Sequence, residues 1–256
     1  MKSRSILMFV TLALLLLLSG VVLAEDLPEF DFATPLFGLA AAPDGSLLVA
    51  DGGAGIIEVR KGEGSEVMFL PGVTDVAPIG RGSMFALTGG GGDPSAGTLY
   101  RVSRSNMTAI ADLIAYEEAE NPDGGVIDSN PYDVAALNGG TALVADAAGN
   151  DLLIVDNEGN VDWVAIFPPE LASVDHAQAL LGCPNPELPP FLADVCLAPP
   201  GTEFPAEAVP TSVAIGPDGA YYVGELKGFP APTGMSKVWR VEPGTLNADC
   251  ATSPAC

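Results

Sequence analysis

The hydrophobic and polar positions of this chain repeat as a unit of two short apolar runs joined by a glycine-containing turn. Four such segments align without gaps: Gly38–Asp51, Asp75–Thr88, Asp133–Asp146 and Ser212–Glu225. Their turns, such as Pro43-Asp44-Gly45, supply the positive φ that tight hairpins require. Each segment is therefore predicted to be a β-hairpin, whose two strands we name A and B.

Further apolar runs predict a third strand after every hairpin and a fourth strand in three of the four units. Strand C is expected at Ile56–Arg60, Thr98–Val102, Asp151–Val155 and Lys237–Val241, and strand D at Glu66–Leu70, Thr108–Leu113 and Val161–Ile166. Repeated units of four antiparallel strands are the blades of a β-propeller. A β-solenoid would need shorter, more regular coils, and a β-sandwich would not repeat its hairpin four times. We therefore predict an all-β propeller.

The predicted blades cover about 36–70, 74–113, 131–166 and 210–241. The fourth unit has no strand D, so we expect about four blades of a longer propeller, truncated at the C-terminus. An incomplete ring of this kind would leave an unpaired edge and an exposed blade face.

The N-terminus is predicted to lie outside this fold. Lys2 and Arg4 precede an apolar stretch from Ile6 to Leu18, and Val22-Leu23-Ala24 has the small residues of a signal-peptidase site. Residues 1–24 are therefore interpreted as a secretory signal and residues 25–256 as the partial propeller domain. A retained membrane anchor is the alternative, although the apolar core is short for a spanning helix. We expect a secreted or periplasmic protein without membrane attachment after cleavage.

The net charge of the chain indicates which classes of binding partner to expect. The formal net charge is −23, and it becomes −25 once the two positive charges of Lys2 and Arg4 are removed with the signal. Nucleic-acid binders need a basic surface, so this charge argues against nucleic acid, and equally against anionic membranes. It fits a protein that meets cations or positively charged partners. Simple solubility is the alternative explanation.

Four cysteines in an exported chain predict disulfides. Three pairings are possible. Cys183 and Cys196 bracket a proline-rich loop, and Cys250 and Cys256 bracket a Ser/Pro turn, which favours these two local pairs. None of the four has a second ligand at the spacing of a zinc site.

The long insertions fall into two classes of loop. Because successive strands of a blade alternate in direction, the B–C and D–A loops are expected on the same face of the disc. The B–C loops Thr88–Gly97 and Leu226–Ser236 and the D–A loops Ile114–Asn130 and Phe167–Pro210 are the long ones. Long loops on a rigid scaffold usually carry binding. This face is the predicted site for a small molecule or a protein.

Acidic residues are concentrated on the same predicted face. Asp51, Asp146 and Glu225 end B strands, whereas Asp75 and Asp133 begin A strands. Asp123, Asp128 and Asn130 lie in the loop before the third blade. Their oxygens are hard donors suited to calcium or magnesium, and a metal site of Asp75, Asp128, Asn130 and Asp133 is the candidate. Turn capping, in which Asp and Asn accept local backbone N–H groups, is the alternative.

Three segments carry a resemblance to a known family: Asn121–Leu153, Val209–Gly234 and Phe37–Gly53. The unit that begins Pro131-Tyr132-Asp133-Val134-Ala135 is similar to an NHL repeat, and the chain resembles the ScyD/ScyE family. The resemblance implies an exported propeller, usually six-bladed, with downstream blades that this chain lacks. No activity is attached to that family.

No catalytic residues are predicted. His176, the only histidine, lies in Leu171–Leu181, the one plausible helix, without a defined Ser or Cys partner.

The expected function is that of an exported binding or scaffold protein of unknown ligand. The alternative is a calcium- or magnesium-dependent lactonase or esterase-like hydrolase similar to gluconolactonase-type propellers, in which the ion polarises a carbonyl or activates water.

Overall fold

The structure is a computed structural model that describes residues 30–33, 35–103, 106–137 and 140–256, without the side chain of Phe191. The predicted signal segment, residues 1–24, lies outside these ranges. Within them, no helix combines the length and the apolar character that a bilayer-spanning helix needs. The unit Phe32–Cys256 contains all the strands described below.

Four antiparallel sheets succeed one another as the blades of a β-propeller, which confirms the predicted fold. Blade 1 is β1 (Leu36–Ala41), β2 (Leu47–Asp51), β3 (Gly55–Arg60) and β4 (Glu63–Phe69). Blade 2 is β5 (Val73–Pro78), β6 (Ser83–Thr88), β7 (Thr98–Ser103) and β8 (Asn106–Asp112). Blade 3 begins with β9 (Pro131–Ala136), β10 (Ala142–Asp146), β11 (Asp151–Val155) and β12 (Val161–Ile166).

The insertion after blade 3 has its own strand pair, β13 (Glu170–Ser173) and β14 (Glu203–Ala206). Blade 4 follows as β15 (Pro210–Ile215), β16 (Tyr221–Glu225) and β17 (Val238–Val241), three strands as the sequence predicts. The two-residue β18 (Ala248–Asp249) then pairs in parallel with β12, as a fifth strand of blade 3. The sequence gives no sign of this strand, because two residues are too few for an alternating pattern.

The hydrophobic core lies between consecutive blades. Side chains alternate between the two faces of a strand, so Val144 of β10 packs towards blade 2 and its neighbour Leu143 towards blade 4. A third core joins blades 1 and 2 through residues such as Ile56 and Val76. Strands covered on both faces need apolar side chains at nearly every position, which explains the short continuous apolar runs in the sequence.

The terminal blades keep apolar side chains exposed. Leu39 and Phe69 of blade 1 are 67% and 64% exposed, and Val238 of blade 4 is 67% exposed. By contrast, five of the six residues of β5 are buried. Blades 1 and 4 therefore expose apolar side chains to solvent, whereas the strands of the inner blades are packed against their neighbours.

The described ranges contain three helices where the sequence predicted one. They are α1 (Leu113–Glu120), α2 (Asp175–Leu181) and α3 (Pro190–Leu197). The predicted helix Leu171–Leu181 is correct only from Asp175 onwards, because residues 171–173 pair with β14. Strand D of blade 2, predicted as Thr108–Leu113, is Asn106–Asp112 (β8). The side chain of Asp112 accepts the N–H of Ala115 at 2.9 Å and caps α1. Both missed helices have only eight residues, too few for a clear helical period.

Both predicted disulfides are confirmed. Cys183–Cys196 closes a 13-residue separation within the insertion after blade 3, and Cys250–Cys256 closes a separation of six residues after β18. Cys250 is also buried in the core between blades 3 and 4. The first bridge joins the end of α2 to α3, and the second closes the irregular segment after β18.

Candidate functional site

Asp75 and Asp133 hold consecutive blades together. They occupy equivalent positions of the repeat, and each accepts a backbone N–H from the following blade. Asp75 Oδ2 accepts from Val134 at 3.0 Å, and Asp133 Oδ2 accepts from Val213 at 2.6 Å. The second oxygen of Asp133 accepts the N–H of Val134 at 3.0 Å. These oxygens therefore serve the contacts between blades.

The two carboxyl groups also interact with each other. Burial, followed by the hydrogen bond and the charge of Asp133, raises the pKa of Asp75 to about 9. Asp75 is therefore protonated at neutral pH, and its hydroxyl group donates a hydrogen bond to the carboxyl group of Asp133. A neighbouring carboxyl group disfavours ionisation and so adds to the effect of burial on Asp75.

Asn130 and Asp128 lie in other surroundings. Asn130 Oδ1 accepts the backbone N–H of Gly90 at 2.8 Å and joins a B–C loop to a D–A loop. Asp128 lines an open cavity described below. In the described part of the chain, no three Asp, Glu, His or Cys side chains form a group that could hold a metal ion. The four-residue metal site of Asp75, Asp128, Asn130 and Asp133 stays a prediction.

The acids at the ends of two B strands cap turns, as the alternative interpretation predicted. Asp51 Oδ1 accepts the N–H groups of Gly53 and Ala54 at 3.0 and 3.1 Å. Asp146 Oδ1 likewise accepts from residues 148 and 149 at 3.1 Å each, and its Oδ2 accepts from Ser129 Oγ at 2.5 Å. The equivalent repeat positions thus shape the B–C loops.

Glu225, at the same repeat position of blade 4, belongs to a buried ion network. Lys227 Nζ lies 2.8 Å from Glu225 and 2.8 Å from Glu170 on β13. Trp239 Nε1 donates to the second oxygen of Glu225 at 2.7 Å. Burial alone would lower the pKa of Lys227. The hydrogen bonds and charges of Glu170 and Glu225 have the larger combined effect, so the pKa lies above its ordinary value. Lys227 is therefore a charged structural residue, not a free amine nucleophile.

An open cavity of about 290 Å³ lies where the long loops meet blade 3. Its walls include the carboxylates of Asp123, Asp128 and Glu207 and the amide of Asn150. A second cavity of about 280 Å³ shares Asp123 and Glu207. No Lys or Arg occurs among the residues that line either cavity. We name the two together the acidic cavity.

Asn150 holds the two shared carboxylates of the acidic cavity in place. Its Nδ2 donates to Asp123 Oδ2 at 3.0 Å and lies 3.3 Å from Glu207 Oε2. Its Oδ1 accepts the N–H of Val209 at 3.2 Å. Its Nδ2 also donates to the carbonyl of Ala148 at 3.3 Å. One amide from the B–C loop of blade 3 thus joins both D–A insertions, and this side chain is held by four hydrogen bonds.

Further carboxyl groups interact electrostatically with Asp123 in the cavity wall. Asp146 and Asp151 stand opposite each other at the end of the β10–β11 hairpin. Burial, then the charges of Asp146, Glu117 and Asp123, raise the pKa of Asp151 well above its ordinary value. Burial and the charge of Asp123, followed by that of Asp146, raise the pKa of Glu117 to about 7. This part of the molecule has a strongly negative field that favours cations.

Glu117, Asn150, Asp151 and Glu207 were not predicted as site residues. Asp151 had a usable signal, because it is a charged residue at the start of an otherwise apolar strand, five residues after another acid. Glu207 had none, since it lies in an irregular segment whose position depends on the insertion. His176, for which no catalytic role was predicted, contacts Thr233 Oγ1 at 2.8 Å and joins α2 to a B–C loop.

No family model and no curated protein matches this chain. Solved structures resemble it in fold. Virginiamycin B lyase from Staphylococcus aureus has 11% identity and a TM-score of 0.45, over 85% of this chain and 60% of that one. A protein of unknown function from Bacteroides thetaiotaomicron has 11% identity and a TM-score of 0.49, over 85% and 43%. Regucalcin, a calcium-binding protein from Agrobacterium tumefaciens, has 13% identity and a TM-score of 0.44, over 81% and 60%.

This chain therefore spans between 43% and 60% of the length of these three structures. No activity follows from similarities at this level of identity. The chain is a β-propeller, and its resemblance to the ScyD/ScyE family stays an expectation from sequence.

Proposed function

We propose that this chain is an exported binding module whose ligand site is the acidic cavity on the long-loop face. The ligand is an organic cation with ammonium or guanidinium groups, either a small molecule or the basic side chain of a protein. The observation that carries the proposal is the Asn150 amide, which holds Asp123 and Glu207 together in the wall of an open cavity.

The charge and the size of the cavity support this ligand class. Three carboxylates line it without a basic residue, and charge-assisted hydrogen bonds to ammonium or guanidinium groups are about twice as strong as neutral ones. A volume of about 290 Å³ lies at the lower end of small-ligand sites. An extended cation with its charges spread over several atoms can reach carboxylates that do not converge on one point.

Binding fits these contacts better than hydrolysis. The alternative hydrolase needs Asp75, Asp133, Asp128 and Asn130 to act on one divalent ion. Asp75 and Asp133 are engaged in bonds between blades, and Asn130 is bonded to Gly90. Export is supported by the two disulfides, which persist in oxidising compartments.

A calorimetric titration of the whole chain tests the proposed ligand class. Spermidine and arginine amide would be titrated at low ionic strength, with citrate and glucose as anionic and neutral controls and calcium held constant. We expect both cations to bind with affinity that falls as salt rises, and the controls not to bind. Equal binding of all four, or binding of none, would contradict the proposal.

A further inference from the structure

A group of buried acceptor oxygens beside the acidic cavity lacks donors. Glu117 Oε1, Asn121 Oδ1 and both carboxylate oxygens of Asp151 are buried without a hydrogen-bond partner among the described residues. The Asp151 and Glu117 residues are 1% and 3% exposed. All four atoms are acceptors. Buried polar atoms are normally paired, and a cation is a partner that would satisfy several of these oxygens at once.

The surroundings of these oxygens are acidic as well. The charges of Asp146 and Asp123 act on both Glu117 and Asp151. Glu117 also lines a separate cavity of about 180 Å³, together with Asp128 and Ser129. Asn121 ends α1 in a left-handed conformation one turn after Glu117, and its backbone N–H donates to the Glu117 carbonyl. Ser129, which lines this cavity with Glu117, donates to Asp146, and Asp146 stands opposite Asp151 in the β10–β11 pair. The end of α1 and the start of β11 therefore bring hard oxygen donors to one region.

We propose that Glu117, Asn121 and Asp151 form a calcium site that fixes the loop between α1 and blade 3. Ca²⁺ takes about six to eight oxygens, including amide and backbone carbonyl oxygens and water. Two carboxylates and one amide oxygen can form the protein part of such a site without three converging acids. The site is separate from the predicted set of Asp75, Asp128, Asn130 and Asp133, and from the organic cation proposed for the cavity.

Calcium is favoured over the small hard cation magnesium by the nature of the donors. Mg²⁺ demands near-octahedral geometry and keeps several waters, whereas Ca²⁺ accepts irregular sets of protein oxygens. The donors here are deeply buried and come from an irregular loop and two regular elements. A magnesium arm in the experiment tests this choice.

Thermal unfolding of the whole chain tests the site, with wild type, Asp151→Asn and Glu117→Gln each measured in EDTA, calcium and magnesium. At a calcium concentration about 100-fold above Kd, we expect the wild-type Tm to rise by about 5 to 10 °C. Both variants should lose most of this rise. In EDTA, Asp151→Asn should melt at or above the wild type, because it removes an uncompensated buried acid.

The control is Asp156→Asn, a partly exposed acid in the C–D turn of blade 3, which should keep the full calcium response. A wild-type Tm that does not change in 10 mM calcium would overturn the proposal, as would a full response in Asp151→Asn. An equal response to magnesium would overturn the choice of calcium. Should Asp151→Asn fail to fold, Glu117→Gln and a calorimetric stoichiometry of one calcium per wild-type chain decide the question. Loss of spermidine binding alone would contradict only the cavity proposal.

Discussion

The carboxylate of Asp133 on β9 accepts the backbone N–H of Val213 on β15 at 2.6 Å and thereby joins blade 3 to blade 4. Asp75 makes the same contact one blade earlier, with Val134. The corresponding position of blade 1 is Gly38, which lies directly against the Asp75 residue. The first position of the repeat therefore fixes how neighbouring blades approach each other.

Replacing Asp133 with alanine should leave the N–H of Val213 without its acceptor. An unsatisfied buried donor costs about 1 to 3 kcal/mol, so the free energy of unfolding should fall by that amount. Asp133→Asn retains an acceptor oxygen and should lose less. Urea denaturation of both variants measures the difference, and equal stability of Asp133→Ala and wild type would refute the role of this contact.

Asp75→Asn should change the pH dependence of stability. The folded protein keeps a proton on Asp75 up to about pH 9, whereas the unfolded chain releases it near the ordinary value of 3.8. Between these values the folded state binds more protons, so this group lowers the free energy of unfolding as pH rises, by up to about 1.4 kcal/mol per pH unit. Its contribution is fully present below about pH 4 and is lost towards pH 9.

The asparagine variant lacks this titration, so its stability relative to wild type should increase from pH 5 to pH 8. Denaturant titrations at both pH values provide the test. A constant difference between the two proteins across this range would show that Asp75 ionises normally.

Gly38→Ala should be strongly destabilising. A Cβ at this position would lie 2.1 Å from Asp75 Oδ1 and 2.8 Å from the Asp75 Cα, so the backbone of one of the two blades must move. We expect a loss of about 1 to 3 kcal/mol from this overpacking. Gly92→Ala is the matched control, because a Cβ there meets nothing within 4 Å. Similar melting temperatures for the two variants would contradict the prediction.

Lys227→Met should destabilise the protein more than Lys237→Met. The Lys227 side chain is 1% exposed and neutralises the fully buried Glu225, whereas the Lys237 side chain is 37% exposed. Removing one partner of a buried ion pair typically costs about 3 to 5 kcal/mol; an exposed pair contributes about 1 kcal/mol or less. The midpoints of chemical denaturation compare the two variants, and a larger effect at Lys237 would contradict the assigned network.

The blades could be predicted from sequence because their signal is local and repeated. Strands β10 and β11, for example, are each a short apolar run bounded by a turn. The same pattern recurs in the other three blades. The cysteine pairs were predictable for the same reason, since each pair closes a short segment. Helix α1 and strand β18 were missed because their lengths give no clear period.

The candidate site could be predicted only in part. Asp123 and Asp128 stand out in a loop rich in turn residues, and both line the acidic cavity. Glu207 comes from a segment 57 residues after Asn150, and only the folded insertion brings it to that amide. Contacts of this kind depend on how an irregular loop folds back, which hydrophobic periodicity does not encode.

The measurement that most directly tests the acidic cavity as the ligand site is a calorimetric comparison of two charge-matched variants, Glu207→Gln and Glu203→Gln. Glu207 lines the cavity, whereas Glu203 lies exposed on β14 of the same insertion. We expect Glu207→Gln to weaken spermidine binding at least about tenfold, corresponding to about 1.4 kcal/mol, and Glu203→Gln to bind like wild type. Equal affinities of the two variants would contradict the account, because the attraction would then reflect net charge alone.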